Sequence, residues 1–196
     1  MQGEYIGEIK RWVSEAVRND AAGQPLAVER VIELIRKQFA VHSHEVAILV
    51  TMPDERFLRF VVPENLQSVG RIPLTSTGAV AARTVREKRA ELINHFAVVP
   101  HSSVFEAVPI AEDARGVAIQ KLMSVPIMLD KKVVGVIQVS RKGATAAEAG
   151  PDFVPQQLRE LKTVADTLAP CIRALGALEA KSQAEPEESV IGKLSR

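Results

Sequence analysis

Residues 121–140 read KLMSVPIMLDKKVVGVIQVS. Two apolar runs flank the charged Asp130-Lys131-Lys132, the pattern of two antiparallel strands joined by a tight turn. In the second run, alternation puts Val133, Gly135, Ile137 and Val139 on one face and Val134, Val136, Gln138 and Ser140 on the other. The first face is wholly apolar. The second is apolar near the turn and polar at Gln138 and Ser140. A strand apolar on both faces lies centrally in a sheet that is covered on both sides. Gly135 has no side chain, so either a neighbouring helix or a ligand approaches the sheet there, with helix packing the slightly preferred reading. The polar end leaves open whether that face meets protein or ligand.

Working outward, Ile6, Ile9, Trp12, Val13, Ala16 and Val17 step by three and four, which predicts an amphipathic first helix. NDAAGQP stops it, and Pro25 suits the first turn of a second helix carrying Leu26, Val31, Ile32, Leu34, Ile35 and Phe39. EVAILVTMP and RFLRFVV then read as two strands around a Pro53-Asp54-Glu55 turn. VGRIPL reads as a short edge strand because of Pro73. Thr75, Ser76 or Thr77 is expected to cap a helix running to about Lys88, and AELIN is another short strand. Residues 94–116 have no clean period and are expected to form a cover. VAIQKLM is expected to hold a helical turn before the hairpin. A last long helix starts near Pro155, and Pro170 inside it is expected to bend it or to remove one hydrogen bond. The order of elements and the short hairpin links predict an α+β fold with an antiparallel sheet. Its expected organisation is an N-terminal helix over 1–24, a domain over 25–178 and a mobile polar tail over 179–196.

The chain has 196 residues, 46% of them apolar, enough for one domain with a core. Its 25 Lys and Arg nearly balance 24 Asp and Glu, which gives no long-range pull toward nucleic acid or an anionic membrane. Cys171 is the single cysteine and cannot form an internal disulfide, which fits a reducing compartment. No apolar run approaches the roughly 18–20 residues that span a bilayer. The expectation is a cytoplasmic protein.

In their order, three stretches resemble a GAF domain, a PAS-like sensory module of bacterial signalling proteins. VGRIPLTSTGAVAARTVREKRAELIN resembles the family's strand, helix and short strand ending in Asn. KLMSVPIMLDKKVVGVIQVS resembles its signature hairpin, and FVPQQLRELKTVADTLAPCIRAL its closing helix. The resemblance implies an antiparallel sheet of five to six strands, terminal helices on one face, and a short helix and loop cover on the other. Where a small-molecule pocket exists, it lies under the segment that is 94–116 here. The expected pocket takes residues from Ile93, Asn94, His95, Phe105, Met123, Ser124 and Val125, with Gly135 and Ile137 as floor.

Known activities of GAF relatives are weighed on the same residues. Reduction of free methionine sulfoxide needs several cysteines near the pocket, and bilin attachment needs one in the cover. Cys171 alone lies on the closing helix and reads as core or interface. The Asn-Lys-Phe-Asp-Glu pattern of cyclic-nucleotide-binding members is missing. His95 and His101 read as ordinary loop histidines rather than haem ligands. His42 and His44 lack further partners at zinc-ligand spacing, so no metal site is expected. Arg83, Arg86, Lys88 and Arg89 read as a solvated helix end.

On the closing helix Leu161, Val164, Leu168, Cys171, Leu175 and Leu178 alternate steps of three and four, a heptad-like seam. The seam serves either the first two helices of the same chain or a second copy. The favoured reading is a homodimer through terminal helices, with Ile9, Trp12, Leu168, Cys171, Leu175 and Leu178 at the interface. The expected function is a non-enzymatic sensory or regulatory domain with a small-molecule ligand of unknown identity and an unknown signalling partner protein. The alternatives are a ligand-free dimerisation or adaptor module and, behind it, an enzyme with an unrecognised site.

Overall fold

The structure, a computed structural model, describes residues 4–18, 25–52, 54–96 and 118–184, with side chains described except at 25–28, 68–69 and 178–184. The elements follow the order α1 (Glu4–Arg18), α2 (Pro25–Phe39), β1 (Val46–Thr51), β2 (Phe57–Val62), β3 (Arg71–Pro73), α3 (Val80–Glu87), β4 (Glu91–Ile93), β5 (Ile119–Leu129), β6 (Lys132–Lys142) and α4 (Pro155–Ala184). The six strands form one antiparallel sheet in the order β3-β2-β1-β6-β5-β4. This is the expected α+β architecture. Pro73 sits in an edge strand, where its missing N–H costs no ladder bond. The hairpin β5-β6 is central, as its two-sided apolar pattern requires.

The larger core lies between one face of the sheet and helices α1, α2 and α4. It joins Ile9 and Val13 of α1, Ile35 and Phe39 of α2, and Leu161, Val164, Leu168 and Ile172 of α4 to Val46, Ile48, Met123, Val125, Ile137 and Val139 of the sheet. The opposite face meets α3 through Leu49, Leu58, Phe60, Ile72, Val136, Ala81, Ala82 and Val85. Burial at α1 takes Tyr5 with Ile9, Val13 and Ala16, while Val17, expected on the inner face, is 49% exposed.

A β-bulge alters the opening stretch. Ile127 pairs with Gly135 but Met128 pairs with Val133, so Val134 is the extra residue. Two successive residues at such a bulge lean to the same side of the sheet. Val134 therefore joins Gly135 and Ile137 toward the helices, and Val133 joins Val136 toward α3, the reverse of strict alternation.

Three further expectations are corrected. VAIQKLM holds no helical turn over its described residues, because β5 already runs from Ile119. α3 begins at Val80 with Ala79 at its N-cap, not at Thr75, Ser76 or Thr77. That preceding stretch is tied down as a turn: the Ser76 N–H donates to Pro73 O at 2.9 Å, and Arg86 reaches back to the carbonyls of Leu74 and Ser76. α4 continues to Ala184, past the boundary expected at 178, and runs through Pro170. Pro170 and Asp166 both face solvent, so the carbonyl that loses its intrahelical donor is open to water.

Arg141 of β6 fastens α2. The helix ends in Ala40 with φ +50°, and the Val41 N–H returns to Arg36 O at 3.1 Å. The guanidinium donates to Phe39 O at 2.9 Å and to Ala40 O at 3.2 Å, satisfying carbonyls the helix leaves over.

Candidate functional site

The expected pocket residues do not form one site. Met123, Val125 and Ile137 belong to the core under the helices. A Cβ on Gly135 would lie 2.4 Å from Leu49 O and 2.9 Å from Ile172 Cγ2, so this glycine exists for the approach of α4. None of the four lines the cavity described below, and helix packing is the correct reading of Gly135. Asn94 is used structurally, because its Nδ2 donates to Phe153 O at 3.0 Å and its Oδ1 accepts the Phe153 N–H at 2.9 Å. His95 is exposed, and Ile93 packs against the small cluster of Val80, Phe96 and Leu122. Phe105 and His101 lie outside the described residues.

Most of the α4 seam is filled from within the chain. Ile9, Leu168, Cys171 and Leu175 are all buried within the one chain, and Trp12 packs against the same core. The sheet, chiefly β5, and helix α1 of the same chain cover the seam, which periodicity alone cannot distinguish from a second copy. Leu178 lies in α4, but its side chain is outside the described ones. The basic cluster of α3 is also more than a solvated end. Arg83 makes a two-pronged pair with Glu91 at 2.9 and 2.7 Å, linking α3 to β4, and Lys88 reaches Lys131 O at 3.4 Å.

A cavity of about 100 Å³ does open on the α3 side of the sheet, toward the end of β6 that the sequence marks as polar. Its apolar wall includes Ala47, Phe60, Leu66, Ile72, Phe96 and Leu122. Its polar rim carries His44, Glu45, Gln138, Ser140 and Lys142. Gly78 to Ala81, at the start of α3, close another side. Register explains the space: Gln138 lies between Ser124 of β5 and Ala47 of β1, and a methyl group fills little of its share. Ala79 also has no side-chain oxygen with which to cap α3.

The rim is held by hydrogen bonds. Glu45 is buried, and its carboxylate accepts the N–H of His42 at 2.7 Å and the N–H of Lys142 at 2.6 Å. Its carbonyl accepts the Ser140 hydroxyl at 3.2 Å. Lys142 Nζ donates to His44 O at 3.2 Å, and the His42 and His44 rings stack with centroids 5.4 Å apart. Burial and the neighbouring Lys142 pull the His44 pKa below its ordinary value, since both disfavour the imidazolium. Behind the cavity, Gln138 Nε2 donates to Ser124 Oγ at 3.1 Å, Ser124 and Thr84 hydroxyls meet at 2.7 Å, and Thr84 Oγ1 donates to Val80 O at 2.9 Å. Of these residues, the sequence signalled Ser124, an expected pocket residue that lies behind the cavity on Gln138 and Thr84, and Gln138 and Ser140, through the polar end of an otherwise apolar strand face.

Among the described residues no group of three or more His, Cys, Asp or Glu side chains is placed to hold a metal ion. Cys171 is 2% exposed beneath the helices, where burial raises its pKa, and it does not line the cavity. Among the described residues no helix is long and apolar enough to cross a membrane.

Comparison with known proteins bears on the fold. No curated protein matches this chain at a significant level. Among solved structures, it is similar to the GAF domain of the Acinetobacter phosphoenolpyruvate-protein phosphotransferase, with 15% identity, TM-score 0.62, and coverage of 91% of this chain and 97% of that one. The corresponding domain from Coxiella burnetii gives 10% identity, TM-score 0.60, and coverage of 93% and 98%. The free methionine-R-sulfoxide reductase of Neisseria meningitidis, solved with its substrate, gives 13% identity, TM-score 0.60, and coverage of 91% and 92%. At such identities the likeness concerns the fold. The sequence profile of the GAF domain matches residues 27–173, most of the chain, and the protein belongs to the GAF domain family of sensory and regulatory modules.

Proposed function

We propose that the domain is non-enzymatic and binds a small molecule in the cavity between the polar end of β6 and the start of α3. The observation that carries this reading is the cavity itself: apolar walls around a few polar groups whose positions are fixed by hydrogen bonds, the usual make-up of a small-molecule site. An apolar cavity of roughly 150 Å³ is known to take up benzene. By that scale the present volume of about 100 Å³ suits a group of four to six heavy atoms, with more of the ligand extending outward. A binding role is preferred to catalysis because the chain's one thiol lies beneath the helices, apart from the cavity.

The inward faces of α1 and α4 are occupied by the core, so output in this reading passes through their exposed faces, which carry Lys10, Arg11, Glu15, Lys162, Asp166 and Arg173. A signalling partner protein or a second copy would dock there. Light scattering across concentration tests for the second copy.

The ligand is sought by native mass spectrometry of freshly purified protein and by screening fluorinated fragments with ¹⁹F NMR. A retained mass or fragment hits that disappear in Ala47→Leu, which fills the space beside Gln138, are expected. Absence of both in the unmodified protein would end the ligand reading.

A further inference from the structure

The hydrogen-bonded chain behind the cavity has only one consistent direction, and that direction specifies what the cavity asks of a ligand. Two oxygens 2.9 Å apart need a proton between them; at Thr84 Oγ1 and the Val80 carbonyl, only Thr84 has one to give. Its hydroxyl is then an acceptor toward Ser124. The 2.7 Å contact between the two hydroxyls must be bridged by the Ser124 proton. Ser124 Oγ, having spent its own proton, can only accept from Gln138, at 3.1 Å. The carboxamide orientation, which is ordinarily ambiguous between O and N, is thereby fixed with Nε2 toward Ser124. Ser124 and Thr84 are both wholly buried, so no water competes for these protons.

Gln138 lines the cavity, and among the described residues no hydrogen bond reaches its Oε1. Ser140, two residues on and on the same strand face, has committed its proton to Glu45 O and keeps only lone pairs. The Glu45 carboxylate beside it is an acceptor by nature. Three neighbouring polar side chains of this wall therefore offer acceptors. We infer that the cavity selects a small, mainly apolar molecule carrying an O–H or N–H group, and that Gln138 Oε1 is the acceptor that reads it. The inference rests on the cavity being the binding site and adds the ligand's chemical class to it.

Phenol and fluorobenzene are a suitable probe pair, close in shape but with only phenol able to donate. Their affinities are measured by NMR titration for the unmodified protein and for Gln138→Leu, with Gln138→Met as a second variant should the first fail to fold. A neutral hydrogen bond contributes enough that the phenol-to-fluorobenzene affinity ratio is expected to fall roughly fivefold in either variant. Ser124→Ala, which frees the carboxamide to turn, should erode the same ratio by a smaller factor. If both probes bind and the ratio is unchanged in the Gln138 variants, the donor requirement is overturned while the cavity stands as a site. If neither probe binds the unmodified protein, the cavity reading and the inference fall together.

Discussion

Gly135 faces Ile172 across a gap that no side chain can enter: a Cβ built on the glycine would sit 2.9 Å from Ile172 Cγ2 and 2.4 Å from Leu49 O. The second distance involves backbone in the middle of the sheet, which has nowhere to move. Gly135→Ala is expected to destabilise the fold by about 1–3 kcal/mol or more, the usual cost of overpacking. Adding Ile172→Val should recover none of the loss, since valine keeps the Cγ2 methyl and the carbonyl clash remains. Urea denaturation of the two variants measures this, and a Gly135→Ala midpoint equal to that of the unmodified protein would contradict it.

Leu168 separates the two readings of the α4 seam. It is buried within one chain, so Leu168→Ala should lower stability by about 2–5 kcal/mol through lost burial and an unfilled space. The loss should not depend on protein concentration. An unfolding midpoint that shifts with concentration would instead place Leu168 at an interface between copies.

Arg141 joins three parts of the helix-side layer. Its guanidinium lies 4.8 Å from the Phe153 ring centroid, just before α4, while donating to the last carbonyls of α2. Arg141→Met leaves those carbonyls without their partner and is expected to cost about 1.5–3 kcal/mol, as for hydrogen bonds made by a charged donor. Arg141→Lys keeps the charge but not the fork and should recover less than half of that. Full stability of the lysine variant, measured by thermal and chemical unfolding, would sink the argument from geometry.

His44 makes stability depend on acidity. Its pKa is lowered by burial first and then by Lys142, with His42 adding to the shift and Glu45 opposing it. A histidine with a lower pKa folded than unfolded binds its proton more weakly in the native state. Its favourable contribution is therefore complete above the ordinary value of about 6.5 and diminishes as pH falls below it. Denaturation midpoints at about pH 7.5 and about pH 5.5 should differ less in His44→Gln than in the unmodified protein. An equal drop in both would assign the acid sensitivity to other groups.

The order of elements was legible in the sequence because periodicity and turn residues are local. The helix-side core of α2 and α4 follows from steps of three and four, and β3 is recognisable as an edge from Pro73 alone. The cavity was not legible, for physical reasons that can be named. Strict alternation fails where Val134 bulges, and no local pattern announces a bulge inside a continuous apolar run. Thr75 to Thr77 have the right chemistry for a cap, but Arg86, in the last turn of the helix, holds that stretch as a turn and leaves Ala79 at the helix start. Gln138 and Ser140 were conspicuous as polar residues on an apolar face. Their partners Ser124, Thr84 and the Glu45 carbonyl come from other elements, which only the pairing of strands brings together.

Asn94 has a mechanical consequence. Both polar atoms of its carboxamide hold the Phe153 backbone, and Phe153 stands two residues before α4 begins. Two residues in the other direction along the chain from Asn94 is Phe96, which forms part of the cavity wall. Wall and helix root are thus separated by a tether with almost no slack. Any displacement of Phe96 must be absorbed within residues 94–96 or be transmitted to the base of the longest helix in the domain.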